Sequence, residues 1–361
     1  MIRTTALALW AAIAGVLTLT TSAQSASAFA TCVFCGDMGT SGFLLNIGLF
    51  VPLGMLLASY SRSARWALVA GAGISVLIEV LQLVFVGGRT VSPGDVLANG
   101  SGALIGALLM INAKTLIAPT PVQRRRLVLG WSALLLAFLI AGWWTSRPWL
   151  PEGVWYLQRA PSRVWADDYQ GTLHVAGIGS TNLASDAIRD GALVHAVRSG
   201  EADFTVLESP GAAPERLSYI ARLVEGRSGL AMATFARRGN ALVIGRNSNA
   251  ARARLSTLGS VIPDAYHGVR NDSVLLRMNL ASGAVSLASR TGPQKFAVPA
   301  PSPLRAWSWF WPTHRDLTGT QRLVADVAWA VLLLLPLAWW WRPTRSATSP
   351  VSTPASDRAH R

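Results

Sequence analysis

Charged residues are scarce in this sequence, and acidic ones are the scarcest. Only 14% of the 361 residues are charged and 51% are hydrophobic, whereas roughly a quarter of the residues of soluble domains are charged. Only Asp37, Glu79 and Asp95 supply negative charge before residue 150. This composition excludes an ordinary cytosolic enzyme. It also argues against nucleic-acid binding despite the net charge of +14, because the early basic residues lie between apolar runs.

Histidine and cysteine are also sparse. No histidine precedes residue 150, which argues against Ser-His or zinc chemistry in that part of the chain. The only cysteines are Cys32 and Cys35, and two ligands do not complete a structural zinc site. A redox role lacks the βα context that it needs. In an oxidising compartment we therefore predict a local structural disulfide between Cys32 and Cys35.

Long apolar runs dominate what is present. They lie at about residues 7–20, 43–60, 66–87, 96–113, 127–144 and 323–341. Most approach the roughly 20 helical residues that cross a hydrocarbon core of ~30 Å. We predict an α-helical multi-pass membrane domain over residues 31–145 and a last transmembrane helix at 323–341. Residues 1–30 form either a first transmembrane helix or a signal peptide, since both begin with a basic residue and an apolar run.

Basic residues between these runs predict the orientation in the membrane. Four groups set the pattern: Arg3; Arg62 with Arg65; Lys114 with Arg124, Arg125 and Arg126; and Arg342 with Arg345. The positive-inside rule puts all of them in the cytoplasm. Residues 147–322 are then extracytoplasmic, and residues 342–361, rich in Ser, Thr, Pro and Arg, form a disordered cytoplasmic tail. We predict a bacterial plasma or inner membrane protein.

Residues 147–312 show a different pattern, with short β-prone runs separated by turns. The runs are 172–178, 192–197, 204–207, 217–224, 230–235, 241–244, 274–278 and 285–288. They predict an all-β antiparallel sandwich large enough to bury its own core. The order of the runs at 204–207, 217–223 and 242–246 resembles concanavalin A-like or laminin G-like domains. That resemblance implies a glycan or envelope-protein partner.

The ionisable residues of this domain give no catalytic signature. Glu201, Asp203, Glu208 and Glu215 lack the diagnostic spacing of a glycosidase pair and are interpreted as solvated loop charges. His174 and His195 fall in strand-like runs and receive no role.

Polar residues inside the apolar runs are the main functional signal. Glu79 and Gln82 share one helix face at i, i+3, as do Asp95 and Asn99 at i, i+4. Buried ionisable groups in a membrane are costly unless they face protein or water. With Asn46 and Arg89, these residues are predicted to reach similar depth in the outer half of the membrane. The alternative is a buried Glu79–Arg89 ion pair, with the amides joining helices.

These polar residues fall within stretches that resemble the VanZ-like family. The matching segments are residues 46–54, 78–82 and 89–99, followed by Gly102 and Gly106. The resemblance covers about residues 30 to 113. It implies a small helical membrane domain that acts on lipid or lipid-linked cell-envelope head groups, with a link to glycopeptide antibiotic resistance. The loop after Arg89 lacks the second acidic residue expected there, which puts any mechanism that relies on it in doubt.

The residues carried over from the resemblance receive separate expected roles. Glu79, Asp95 and Arg89 are the candidate catalytic residues, with Arg89 binding an anionic phosphate and the carboxylates exchanging protons. The candidate substrate-binding residues are Asn46, Gln82 and Asn99. Glu79 and Asp95 also fit a divalent cation, but no specific motif supports one and the cofactor stays unknown.

Two interpretations of function remain open from the sequence. The first is a membrane protein that binds or modifies a membrane lipid or a lipid-linked envelope precursor. The second is a non-catalytic anchor that displays a lectin-like domain, with the polar cluster serving only packing. A transporter is disfavoured because the inner halves of the helices are uniformly apolar.

Overall fold

The structure is a computed structural model. It describes residues 2–19, 33–34, 39–85, 92–163, 166–183, 187–227, 229–256, 259–269, 272–289, 292–296, 303–310, 317 and 319–341. The helices before the sandwich are α1 (Ile2–Leu19), α2 (Gly39–Ser61), α3 (Ala64–Phe85), α4 (Pro93–Ile111), α5 (Ala113–Ile117) and α6 (Pro121–Ser146).

Five helices within the described ranges are long and apolar enough to cross a membrane. They are α2, α3, α4, α6 and a C-terminal helix, Gly319–Trp340. Helix α1 is apolar but shorter by the same measure. The predicted multi-pass helical region is thereby confirmed.

Several helices begin earlier than the apolar runs, because their caps lie outside the hydrophobic segment. Helix α4 begins at Pro93 after Ser92, whose Oγ accepts a hydrogen bond from the Gly94 amide at 3.0 Å. Helix α6 begins at Pro121 after Thr120, which forms a capping box with Gln123. Capping side chains satisfy the free amides of the first turn. Hydropathy therefore located the helices, and the caps set where they begin.

Helices α2 and α4 approach each other at backbone distance. A Cβ atom on Gly106 would lie 1.9 Å from the Val51 carbonyl oxygen, and one on Gly102 would lie 2.3 Å from that of Ile47. On α2, a Cβ on Gly54 would lie 2.0 Å from the Ala103 carbonyl oxygen. Only glycine fits at these positions, as expected for the closest helix pairs in membranes.

Helix α6 pairs with the C-terminal helix mainly through aromatic residues. The Trp131 indole donates to the Leu333 carbonyl at 2.8 Å, and the rings of Phe138 and Trp329 have centroids 5.8 Å apart. At the far end, the Trp340 indole donates to the Leu116 carbonyl of α5 at 2.8 Å. The remaining surface of both helices is mostly exposed and apolar, as expected for contact with lipid.

The β-region forms two six-stranded sheets whose paired strands are all antiparallel in the described part of the chain. The first sheet has the order β4 (Ala187–Ile188), β1 (Trp155–Arg159), β6 (Ser218–Glu225), β7 (Ala231–Arg238), β8 (Ala241–Arg246), β9 (Gly259–Ile262). The second has the order β12 (Gly292–Phe296), β11 (Val285–Ser289), β10 (Val274–Met278), β5 (Phe204–Ser209), β2 (Thr172–Ile178), β3 (Thr181–Asn182). Phe204 of one sheet stacks on Phe235 of the other with ring centroids 5.4 Å apart. The predicted antiparallel sandwich is confirmed.

One predicted strand, residues 192–197, is wrong. This segment lies in helix α7, Gly191–Ser199. Asp190 caps its first turn by accepting from the Ala192 amide at 2.8 Å, and Gly200 ends it in the left-handed conformation at φ 84°. The N-cap and the C-terminal glycine outweighed the β-propensity of the intervening residues. His195 consequently lies on a helix and not in a strand.

The sandwich is docked on one end of the helical region. A short helix, α8 (Asn249–Arg252), follows β8, and the Asn249 side chain donates to the Trp144 carbonyl of α6 at 3.1 Å. The Ser256 amide donates to Ser41 Oγ of α2 at 2.9 Å, and the Thr40 amide donates to the Arg254 carbonyl at 3.1 Å. The sandwich thus contacts the beginning of α2 and the end of α6.

We predict that Gly106→Ala destabilises the protein, whereas Gly73→Ala does not. The added methyl of Gly106→Ala meets the Val51 carbonyl, and overpacking of this kind costs about 1–3 kcal/mol. A Cβ on Gly73 of α3 meets nothing within 4 Å. Thermal unfolding of the purified variants in detergent, followed by tryptophan fluorescence, measures the difference. Equal midpoints for the two variants would show that α2 and α4 lie further apart than described.

Candidate functional site

Asn46 and Asp95 form a direct link between α2 and α4. Asn46 Nδ2 donates to Asp95 Oδ1 at 2.6 Å, and both side chains are partly exposed. Asp95 lies in the first turn of α4, where the helix dipole favours negative charge. The pair therefore presents an oriented carboxylate at the beginning of two neighbouring helices.

Helix α3 contributes a buried polar face. Ser75, Glu79 and Gln82 lie on it, and Glu79 and Gln82 are each only 6% exposed. Gln82 Nε2 donates to the Thr18 carbonyl of α1 at 2.7 Å. Asn99 Nδ2 of α4 donates to Ser75 Oγ at 2.8 Å. The polar residues therefore join α3 to both α1 and α4.

Of the described site residues, Asn46 and Asp95 are in direct contact, and two others bond residues outside the predicted set. Asn46 bonds Asp95, whereas the amides of Gln82 and Asn99 bond Thr18 and Ser75. Thr18 and Ser75 are not among the site residues predicted from the sequence. Ser75 was detectable, because it lies four residues before Glu79 and so shares its helix face. Thr18 was not, because its backbone carbonyl is the acceptor and any residue supplies one.

Three predicted residues, Arg89, Cys32 and Cys35, lie outside the described residues. Their anion-binding and disulfide roles stay predictions. Over the described ranges there is no group of three or more His, Cys, Asp or Glu side chains that would hold a metal ion.

The polar residues and the sandwich share one end of the helical region. Asn46 lies near the start of α2 and Asp95 near the start of α4, while Gln82 lies near the end of α3. Ser41, also at the start of α2, accepts a hydrogen bond from the Ser256 amide of the β-region. The polar cluster consequently lies on the side of the helices that faces the sandwich.

Comparison with known families identifies the part of the chain that carries this cluster. Residues 5–116 match the VanZ/LLP1 family model. The match begins earlier than the resemblance seen in the motifs, because it includes α1. Every candidate catalytic and substrate-binding residue lies inside the VanZ-like domain. No curated protein and no solved structure gave a significant match, so the similarity of the sandwich to concanavalin A-like domains stays a prediction.

Outside the VanZ-like domain, one acidic residue of the sandwich differs from expectation. Glu208 is fully buried and accepts hydrogen bonds from the hydroxyls of Tyr169 and Tyr266. Its interpretation as a solvated loop charge was wrong, because it lies within β5 and points into the domain. Burial raises the pKa of Glu208, although the two tyrosines and the nearby Arg237 oppose the shift. Arg237 is itself held by the carbonyls of Gly239 and Gly211 at 2.8 and 2.9 Å.

We predict that Glu208 makes the stability of the sandwich depend on pH. Because folding raises the pKa of this carboxyl, the protonated form is favoured in the native state. The contribution of Glu208 to the free energy of unfolding is fully present below the unfolded pKa of about 4.3 and is lost as the pH rises through the native pKa. As the pH rises from that value towards neutrality, the unfolding midpoint of the wild type should fall relative to that of Glu208→Gln. Parallel curves for the two proteins would contradict the prediction.

Proposed function

We propose that this cell-envelope membrane protein uses its VanZ-like domain to bind and modify the head group of a membrane lipid or lipid-linked envelope precursor. The observation that carries the proposal is the gathering of polar side chains at one end of an otherwise apolar helix bundle. Buried polar groups in membrane helices are costly and most often mark functional sites. A lipid head group is the polar substrate found at that depth.

The contacts support different roles for different polar residues. The side-chain amides of Gln82 and Asn99 donate to Thr18 and Ser75, so we assign them to positioning α3 between α1 and α4. Asn46 and Asp95 are partly exposed, so we assign them to the substrate. Glu79 and Asp95 are the proposed acid and base, with Arg89 as the proposed phosphate ligand.

We also propose that α1 is retained as a transmembrane helix. The Trp10 indole donates to the Leu49 carbonyl of α2 at 2.8 Å, and its ring packs against Phe50 at 5.4 Å. Gln82 of α3 bonds the Thr18 carbonyl. Cleavage of a signal peptide would remove these contacts with α2 and α3, and the family match includes most of α1.

A second candidate function is an anchored glycan-binding protein. An open pocket of about 700 Å³ lies on the first sheet and is lined by Tyr156, Gln158, Arg159 and Glu225 among others. Tyr156 is 37% exposed. An exposed aromatic ring beside hydrogen-bonding groups suits a sugar, and in this proposal the helices only orient the sandwich. A link to glycopeptide resistance fits either candidate, because both act at the cell envelope.

We predict that Glu79→Gln and Asp95→Asn abolish a head-group modification that the wild type performs. Asp95→Asn keeps an oxygen that accepts from Asn46, so it removes the charge while retaining the helix contact. The purified proteins, matched for unfolding midpoint, are incubated with total envelope lipids and the products are followed by mass spectrometry. Glu152→Gln is the control, because Glu152 is an exposed carboxylate of the sandwich with 85% of its side chain accessible.

The outcomes separate the two functions. A lipid product formed by wild type and Glu152→Gln but by neither site variant supports the enzyme and identifies its substrate class. Identical lipid profiles for all four folded proteins contradict it and favour the anchored sandwich.

We also predict the orientation of the protein in the membrane. Positive-inside orientation puts the C-terminus in the cytoplasm and the sandwich outside. Alkaline phosphatase fused after Ser289 should be active and the same enzyme fused after Arg361 inactive, with green fluorescent protein fusions giving the reverse. The opposite pattern would move the polar cluster to the cytoplasmic side and exclude extracytoplasmic substrates.

A further inference from the structure

A large apolar groove opens beside Asn46. Its volume is about 1280 Å³, above the roughly 300–1,000 Å³ of typical small-molecule pockets. One wall comes from α1 and α2, including Trp10, Ile13 and Leu45. A second wall is formed by Trp307, Phe310 and Trp329. We call this feature the tail groove.

The second wall is fixed in position by polar contacts. Trp307 lies in a 3₁₀ helix, Pro303–Trp309, and its indole donates to Asp326 Oδ1 at 2.8 Å. Ser41 Oγ of α2 donates to the Trp309 carbonyl. The rings of Phe310 and Trp329 have centroids 6.0 Å apart. The tail groove is therefore a built feature with two anchored walls.

The surroundings of the tail groove point to one kind of occupant. It is lined in part by α2 and the C-terminal helix, which are both long enough to cross a membrane, so we expect hydrocarbon to border it. Its lining is overwhelmingly apolar, with Asn46 and Thr18 as its polar side chains. Asn46 also donates to Asp95 Oδ1, so the tail groove adjoins the polar cluster. An apolar channel that adjoins a polar pair matches a molecule with a hydrocarbon tail and a polar head.

We propose that the tail groove binds the hydrocarbon chain of the lipid whose head group is held at Asn46 and Asp95. This inference rests on the proposed function and adds a determinant of substrate choice. Trp307, Phe310 and Trp329 lie outside the segment that matches the family model. The region after the sandwich therefore completes a site whose head-group end belongs to the VanZ-like domain, and it selects the length and shape of the chain.

Two glycines allow a matched test. Gly48 lines the tail groove, and a Cβ atom added there meets nothing within 4 Å. Gly48→Leu thus puts a side chain into the tail groove without displacing backbone. Gly73 of α3 is equally open but does not line the tail groove, so Gly73→Leu makes the same change elsewhere. Gly48→Ala supplies a milder filling, and all variants are compared at matched unfolding midpoints.

The probe is phosphatidylglycerol with a diazirine in its acyl chain, in nanodiscs of phosphatidylethanolamine and phosphatidylglycerol. After illumination, crosslinked peptides are mapped by mass spectrometry. In wild type and Gly73→Leu we expect crosslinks concentrated on Trp10, Ile13 and the Trp307–Phe310 segment. In Gly48→Leu they should fall about threefold, because the added side chain occupies part of the space available to the acyl chain. In Gly48→Ala the fall should be smaller.

Each result decides the proposal. Crosslinks spread evenly along all helices, or unchanged in Gly48→Leu, would show only bulk lipid contact and overturn it. Crosslinking does not require head-group conversion, so the two proposals fail separately. A lipid product that depends on Asp95 but not on Gly48 would retain the proposed function and reject the tail groove. Crosslinks that depend on Gly48, without any lipid product, would support lipid binding and reject catalysis.

Discussion

The rest of the membrane domain depends on the close contact between α2 and α4. Inside a bilayer, apolar side chains gain little by leaving lipid for protein, so helices associate through tight packing and polar contacts. Gly102 faces Ile47 and Gly106 faces Val51, and both pairs advance by four residues along parallel helices. This contact brings Asn46 within 2.6 Å of Asp95. Without glycine at these positions, the amide and the carboxylate would be separated.

The polar residues fall into two groups that differ in their contacts. Gln82 and Asn99 join α3 to its neighbours α1 and α4, and the buried carboxylate Glu79 lies on the same face of α3. Asn46 and Asp95 are partly exposed, and Asn46 also lines the tail groove. The proposed site requires both sets of residues, because a reactive carboxylate must be held in position by neighbouring groups that do not themselves bind the substrate.

The sandwich and the helices form a connected unit through main-chain and side-chain hydrogen bonds. Ser41 of α2 accepts from the Ser256 amide and donates to the Trp309 carbonyl. One serine at the start of α2 thus contacts both the β-region and the wall of the tail groove. A movement of the sandwich would be transmitted to the end of α2 that carries Asn46. The proposed substrate site and the sandwich are therefore adjacent.

Hydropathy and charge in the sequence determined the membrane helices, and alternating β-prone runs determined the sandwich. Spacing alone put Glu79 with Gln82, and Asp95 with Asn99, on shared helix faces, because helical periodicity is local. Tertiary structure decided which partners these residues meet, the burial of Glu208, the helix at Gly191–Ser199 and the docking of the sandwich. It also created the tail groove, whose walls are some 250 residues or more apart in the sequence. Contacts between distant segments depend on packing geometry, which local patterns do not encode.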